Sequence, residues 1–261
     1  MYHTDQIGHE IKLLDAPKRI ISLVPSQTEF LFDIGLHNEL IALTRFCIYP
    51  ADRVKSKVKI GGTKNFSIQK IRSLKPDLII GNKEENYEEG IAILQQEFPV
   101  WMSDITSLGD ALDMMTSLGK ICGAEARAKS VVERIEASFS LLLTTETRKK
   151  SVAYFIWRKP YMVAASGTFI DAMLMHLSCY NVFQNKCRYP EISLEELKEA
   201  QPEFIFLSSE PYSFSARHFE EFREAVPKAK VILVEGEMFS WYGSRLLQTP
   251  DYFRKLCELY F

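Results

Sequence analysis

Two stretches of this chain, Ser67 to Ile80 (SIQKIRSLKPDLII) and Ser193 to Phe206 (SLEELKEAQPEFIF), align without a gap at an offset of 126 residues. Each starts with a serine suited to capping a helix and continues with apolar residues at matching helical positions. Each then reaches a proline, an acidic residue and an apolar run. Proline ends the helix and presets the turn into a strand. A helix and strand unit used twice, at a similar depth in each half, points to two related lobes.

The rest of the chain obeys the same grammar. Short apolar runs at Arg19–Val24, Leu40–Leu43, Asp77–Ile80 and Val100–Met102 alternate with helical segments at Thr28–Gly35, Ser67–Leu74, Asn86–Glu97 and Ser107–Cys122. Ser26 is placed to cap the first of these helices. The second half alternates likewise, with strands expected at Val152–Trp157, Tyr161–Ala164, Phe204–Leu207 and Val231–Val234. Helices are expected there at Thr168–Leu177, Ser193–Ala200, Ala216–Val226 and Leu246–Phe261. Such alternation defines an α/β fold with Rossmann-like, mostly parallel sheets.

Between the halves lies Ala124 to Lys150, in which Ala128, Val131, Val132, Ile135, Phe139 and Leu142 recur at steps of three and four. That spacing marks one face of a helix. Roughly 25 residues at the helical rise would span roughly 35 Å. The expected organisation is therefore an N-terminal lobe over residues 1–123, a backbone helix over 124–150 and a C-terminal lobe over 151–261. A ligand cleft is expected between the lobes, and the single rod should limit hinge motion.

In parallel sheets ligands meet the loops at the carboxyl ends of the strands. Here those loops carry Ser26, Phe46, Tyr49, Gly62, Thr63, Phe66, Trp157, Ser166, Tyr189, Glu237, Trp241, Tyr242 and Arg245. Aromatic rings among short polar groups suit a large, partly apolar ligand with polar edges. Arg245 has two readings: it holds an anionic or amide edge of the ligand, or it pairs with a nearby acid.

Other chemistry is poorly supported. A net charge of −2 supplies no basic field for nucleic acid. Five cysteines without a CxxC pair argue against a disulfide framework or a cysteine zinc site. The five histidines are scattered, and His176 sits in an apolar helix as a core or boundary residue. Ala165-Ser166-Gly167-Thr168 lacks the first glycine of a nucleophile elbow and reads as a helix cap. Gly61-Gly62-Thr63-Lys64 lacks the spacing of a phosphate loop and reads as a turn approaching a ligand through its backbone. No enzyme activity, resident cofactor or metal is expected. Acidic groups at Glu84-Glu85, Glu88-Glu89 and Glu220-Glu221 read as solvated faces, or as surfaces that meet arginines on a partner. The amino terminus shows no export leader, so the chain as written reads as cytoplasmic, or as periplasmic or membrane-associated if a leader has been removed.

The motifs taken together resemble the substrate-binding proteins of ABC importers that are built on a helical backbone, and among them the vitamin B12 receptors and their cobalamin-binding relatives. The resemblance rests on PKRIISLVPSQTEFLFDIGL (17–36), Tyr49-Pro50, IGGTKNFSIQKIRSLKPDLII (60–80), VAASGTFIDAMLMHLSCYNVF (163–183), YPEISLEELKEAQPEFIFLSSEP (189–211) and FSWYGSRLLQTP (239–250). It implies a monomer with a corrinoid or similar metal chelate as ligand and importer membrane subunits as partners. Siderophore and haem receptors share the scaffold. In this resemblance Phe46 stands where relatives face the ligand with tyrosine, and Thr63 near the place of a tryptophan that covers the corrin. Glu237, Trp241, Tyr242 and Arg245 match an acid, two aromatics and an arginine of the second-lobe loop. Gln69 stands for a glutamate that docks on the transporter, and Glu220 or Glu221 for its second-lobe counterpart. Ser26 occupies a strand end where metal-binding members carry histidine, which argues against zinc or manganese. A cytoplasmic enzyme or ligand carrier on the same fold is the alternative from another class.

Overall fold

A computed structural model describes residues 1–142 and 149–261. Its chain forms two compact units, one comprising Met1–Ile105, Gly109–Glu136 and Tyr242–Arg245, the other Thr106–Leu108, Ala137–Trp241 and Leu246–Phe261.

The first unit is built on a five-stranded sheet ordered Val58–Lys59, Leu40–Leu43, Ile20–Ser22, Leu78–Asn82, Val100–Ser103. Every pairing in it is parallel. The inner strands Ile20–Ser22 and Leu78–Asn82 are buried on both faces, which is why they read as unbroken apolar runs. The helices of this half are α1 (Pro25–Asp33), α2 (Ile68–Leu74), α3 (Glu88–Gln95), α4 (Leu108–Ile121) and α5 (Glu125–Ser140). Because the first strand is central and its successors lie on opposite sides, the order reverses there. Its carboxyl end is thus the switch point at which such sheets leave room for a ligand.

The second unit carries a six-stranded sheet with the path Glu191–Ile192, Tyr161–Val163, Lys150–Trp157, Phe204–Ser208, Lys230–Val234, and Cys179–Asn181 also pairs with Lys150–Trp157. Three of its pairings are parallel. The Lys150–Trp157/Tyr161–Val163 hairpin and the Glu191–Ile192 edge are antiparallel additions. The helices are α6 (Phe169–His176), α7 (Leu194–Ala200), α8 (Phe219–Ala225), α9 (Glu237–Ser240) and α10 (Thr249–Tyr260). A continuous apolar core runs through Phe155, Leu197, Ile205, Leu207, Phe214 and Phe222.

The repeated stretches share their details. Ser67 Oγ accepts from Lys70 N at 3.3 Å, and Ser193 Oγ from Glu196 N at 3.1 Å. Ile71 and Leu197 are each wholly buried, and Lys75 and Gln201 end the two helices in the left-handed region at φ 45° and 42°. The acid after each proline secures the start of a neighbouring strand. Asp77 accepts from the Lys18 and Arg19 amides at 2.7 and 2.8 Å, while Glu203 accepts from the Ser151 amide at 3.0 Å.

Several local expectations change. Helix α5 stops at Ser140, giving 16 residues where periodicity predicts 27. Leu141 is already in a turn and 68% exposed, Lys150 opens a strand, and residues 143–148 lie outside the described ones. Ser26 does not cap α1: the cap position moves two residues back to Val24 and the helix starts at Pro25, whose missing N–H and fixed φ suit the first turn. Thr168 does cap α6, accepting from Asp171 N at 3.2 Å. No helix among the described residues is long and apolar enough to cross a membrane.

Candidate functional site

In the first unit, the loop after Leu40–Leu43 leaves the sheet with Arg45, Phe46, Cys47, Ile48 and Tyr49. Cys47 turns inward, where Thr28 donates to its sulfur at 3.1 Å, and burial pushes its thiol pKa up. Its neighbours are forced outward: Phe46 is 50% and Ile48 48% exposed. The Gly61–Gly62/Asn65–Phe66 hairpin packs beside them. A Cβ at Gly62 would lie 2.4 Å from Asn65 Oδ1 within the hairpin and 3.0 Å from Phe46 Cε2, so glycine suits both the hairpin turn and the loop packed against it. Thr63 is half-buried and its carbonyl accepts from Asn86 Nδ2 at 3.1 Å. Phe66 faces the other way, buried and stacked on Tyr87 at 4.6 Å, and is core rather than ligand surface.

The switch point of this sheet is filled by the chain itself. Tyr242–Arg245 belongs to the first unit and lies against the amino end of α1. Gly243 approaches so closely that a Cβ there would sit 2.4 Å from Ser26 O. Tyr242 donates to Glu85 Oε1 at 2.5 Å, and burial followed by the Glu85 charge holds its phenol pKa well above the ordinary value. Ser244 bonds Asp33. Arg245 binds both oxygens of Glu29, at 2.7 and 3.1 Å, with its guanidinium carbon 4.2 Å from the Tyr49 ring centre. Of the two readings of Arg245, pairing with an acid is the one realised. Glu85, expected on a solvated face, is a partner of a buried phenol. The Ser26 hydroxyl is buried beside this segment without a hydrogen bond of good geometry among the described residues.

The second unit places the remaining candidates at its own strand ends. Trp157 is 39% exposed and meets Tyr212 edge-on at 5.7 Å. Ser166 donates to Lys186 O at 2.5 Å, which leaves it as a brace for its loop. Tyr189 is half-buried in the turn before Glu191–Ile192, and Glu237 is half-buried in the first turn of α9. Trp241 is 7% exposed and donates from Nε1 to Glu210 Oε1 at 3.0 Å, an oxygen that also accepts from Ser240 Oγ at 2.7 Å. Burial alone would raise the Glu221 carboxyl pKa, but Arg158, bound at 2.8 and 2.9 Å, together with Tyr161 and His218 brings it below the ordinary range. Glu221 is not on a solvated face. Glu220 is: its side chain is 74% exposed, with Arg223 at 3.9 Å.

Thus Phe46, Gly62 and Thr63 form one surface, Tyr49 joins it to the buried Arg245, and Phe66 drops out. Sequence reasoning missed Arg45, Glu29, Glu85 and Glu210. Only Arg45 left a signal, as a cation directly before Phe46 in a strand-end loop.

Each of the two units is built on a mainly parallel sheet with aromatic side chains in its strand-end loops, a fold shared with periplasmic binding proteins. The family model described as periplasmic binding protein matches residues 20–229, and the chain belongs to that family. The vitamin B12-binding protein of Vibrio cholerae is 27% identical over 195 residues, covering 73% of this chain and 70% of that protein. An uncharacterized ABC transporter substrate-binding lipoprotein of Bacillus subtilis is 23% identical over 256 residues, covering 94% and 81% of the two chains. The crystal structure of the periplasmic vitamin B12 binding protein BtuF of Vibrio cholerae superposes with a TM-score of 0.79 at 23% identity, covering 94% of this chain and 98% of that one.

Proposed function

We propose that this chain is a solute-binding protein for a corrinoid or a similarly large metal chelate, and that it delivers this ligand to an ABC importer. The exposed Phe46 and Ile48 carry the reading. The two lie two residues apart in one loop at the carboxyl end of a parallel strand, where such sheets take their ligands, and the Phe46 ring packs beside Gly62 of the neighbouring hairpin. A macrocycle laid on that platform would exchange water for ring contact, and the backbone and Thr63 would meet its polar rim. The likeness to vitamin B12-binding proteins over 73% of the chain supports the choice of ligand class. No nucleophile poised beside a base is required, and binding without turnover is the proposed role. The likeness to a substrate-binding lipoprotein of an ABC transporter supports the partner, and exposed Glu220 is the acid offered to importer arginines in the second unit, since Glu221 is engaged by Arg158.

Native mass spectrometry of the purified chain after incubation with cyanocobalamin, haemin and a ferric siderophore in one mixture tests the reading. The expected result is a mass shift corresponding to the corrinoid. Retention of none of the three would dismiss the proposal.

A further inference from the structure

We propose that Arg45 receives an anionic arm of the ligand, a phosphodiester or a carboxylate, and so sets a preference for anion-bearing macrocycles. This inference rests on the reading of Phe46 as the ligand platform. Several cations around that end of the first sheet are committed. Arg245 is chelated by Glu29. Lys83 pairs with Asp104 at 2.6 Å, Lys59 donates to Cys47 O at 3.2 Å, and Lys64 donates to the Glu84 and Asn86 carbonyls. Arg45 differs from all of these. Its amide is anchored to Gly61 O at 2.8 Å, its side chain is exposed, and its guanidinium carbon stands 5.1 Å from the centre of the Phe46 ring. Among the described residues no carboxylate or carbonyl takes its guanidinium hydrogens.

A guanidinium held over a ring keeps its in-plane N–H fork for an anion, and two parallel bonds to a phosphate or carboxylate are the geometry that fork is made for. The ring that would stack on the macrocycle also fixes the arginine at the macrocycle's edge, where charged arms project. Gly62 packs close to the pair: a Cβ there would press on Phe46 Cε2 at 3.0 Å and touch Arg45 Nη2 at 3.4 Å.

Titration calorimetry of the full chain tests the inference with two probe pairs: cyanocobalamin against dicyanocobinamide, which lacks the phosphodiester, and haemin against haemin dimethyl ester. The wild type should prefer the anion-bearing member of whichever pair it binds. Arg45→Gln should weaken that member by roughly tenfold and leave the other unchanged, so that the preference disappears. Arg45→Lys should retain part of it. Added salt should weaken the wild type towards the Arg45→Gln value. An undiminished preference in Arg45→Gln, or an equal loss on both members of the pair, overturns the role of Arg45 while leaving the binding function standing. Failure of the wild type to bind either pair removes both. Unchanged thermal melting of Arg45→Gln, expected for an exposed side chain, confirms that any loss is local.

Discussion

Tyr242 donates its phenolic hydrogen to Glu85 Oε1 at 2.5 Å, although 157 residues separate the two in the chain. This contact closes the switch point of the first sheet with the protein's own late segment. It makes Tyr242, like Arg245 with its contacts to Glu29 and Tyr49, an internal support of the first unit, and leaves Phe46 as the exposed ring proposed to meet the ligand.

Tyr242→Phe retains the ring and takes one donor from Glu85. Leaving a buried acceptor short of a donor costs about 1–3 kcal/mol. Urea denaturation should show a loss of that size with no change in ligand affinity, and an unaltered midpoint would contradict the role given to this contact.

The Arg245 and Glu29 side chains are 8% and 12% exposed, so removal of either strands a charge. Arg245→Met should cost about 3–5 kcal/mol, and the combination with Glu29→Leu should recover much of it, because an apolar pair can replace a buried ion pair. Simple additivity of the two losses in a double-mutant cycle would mean that the pair does not act as a unit.

His176 meets Phe139 edge-on at 5.1 Å, and burial lowers its pKa below the ordinary 6.5. The unfolded chain therefore binds this proton more readily than the folded one. The contribution to stability is intact above pH 6.5 and is lost as pH falls from there through the folded value. His176→Asn should flatten this part of the stability profile below pH 6.5. An identical slope in both proteins would assign the acid loss elsewhere.

The three tryptophans differ in exposure: Trp101 is at 0%, Trp241 at 7% and Trp157 at 39%. If Trp157 lines the ligand surface of its unit, Trp157→Phe should remove most of the ligand-dependent change in emission. A full signal in that variant would exclude Trp157 from the site. Trp241→Phe, in contrast, should lower stability by about 1 kcal/mol through the lost hydrogen bond to Glu210.

The architecture was legible because its causes are local. Doubly buried strands show as apolar runs, and helix ends carry Ser67, Ser193, Pro76 and Pro202 as their own punctuation. The end of α5 was not legible, because an amphipathic period reports what a helix would bury and not where the next strand claims the chain. Leu142 fits the period, yet the helix has already ended at Ser140. The site was legible by position only. Strand-end position nominates Phe46, Thr63 and Trp157, which the structure leaves at least partly accessible, and equally nominates Phe66, which it buries because the turn of the hairpin sets that side chain's direction. The partners Glu29 and Glu85 lie 216 and 157 residues from Arg245 and Tyr242, and no local pattern relates residues so distant.

Calorimetric titration of cyanocobalamin into the wild type and into Phe46→Ala tests whether the Phe46 loop is a platform for a macrocyclic metal chelate. Saturable binding at one site is expected in the wild type, weakened by roughly tenfold or more in Phe46→Ala at unchanged thermal stability. Binding of equal strength in the two proteins, or no binding in the wild type, would contradict it.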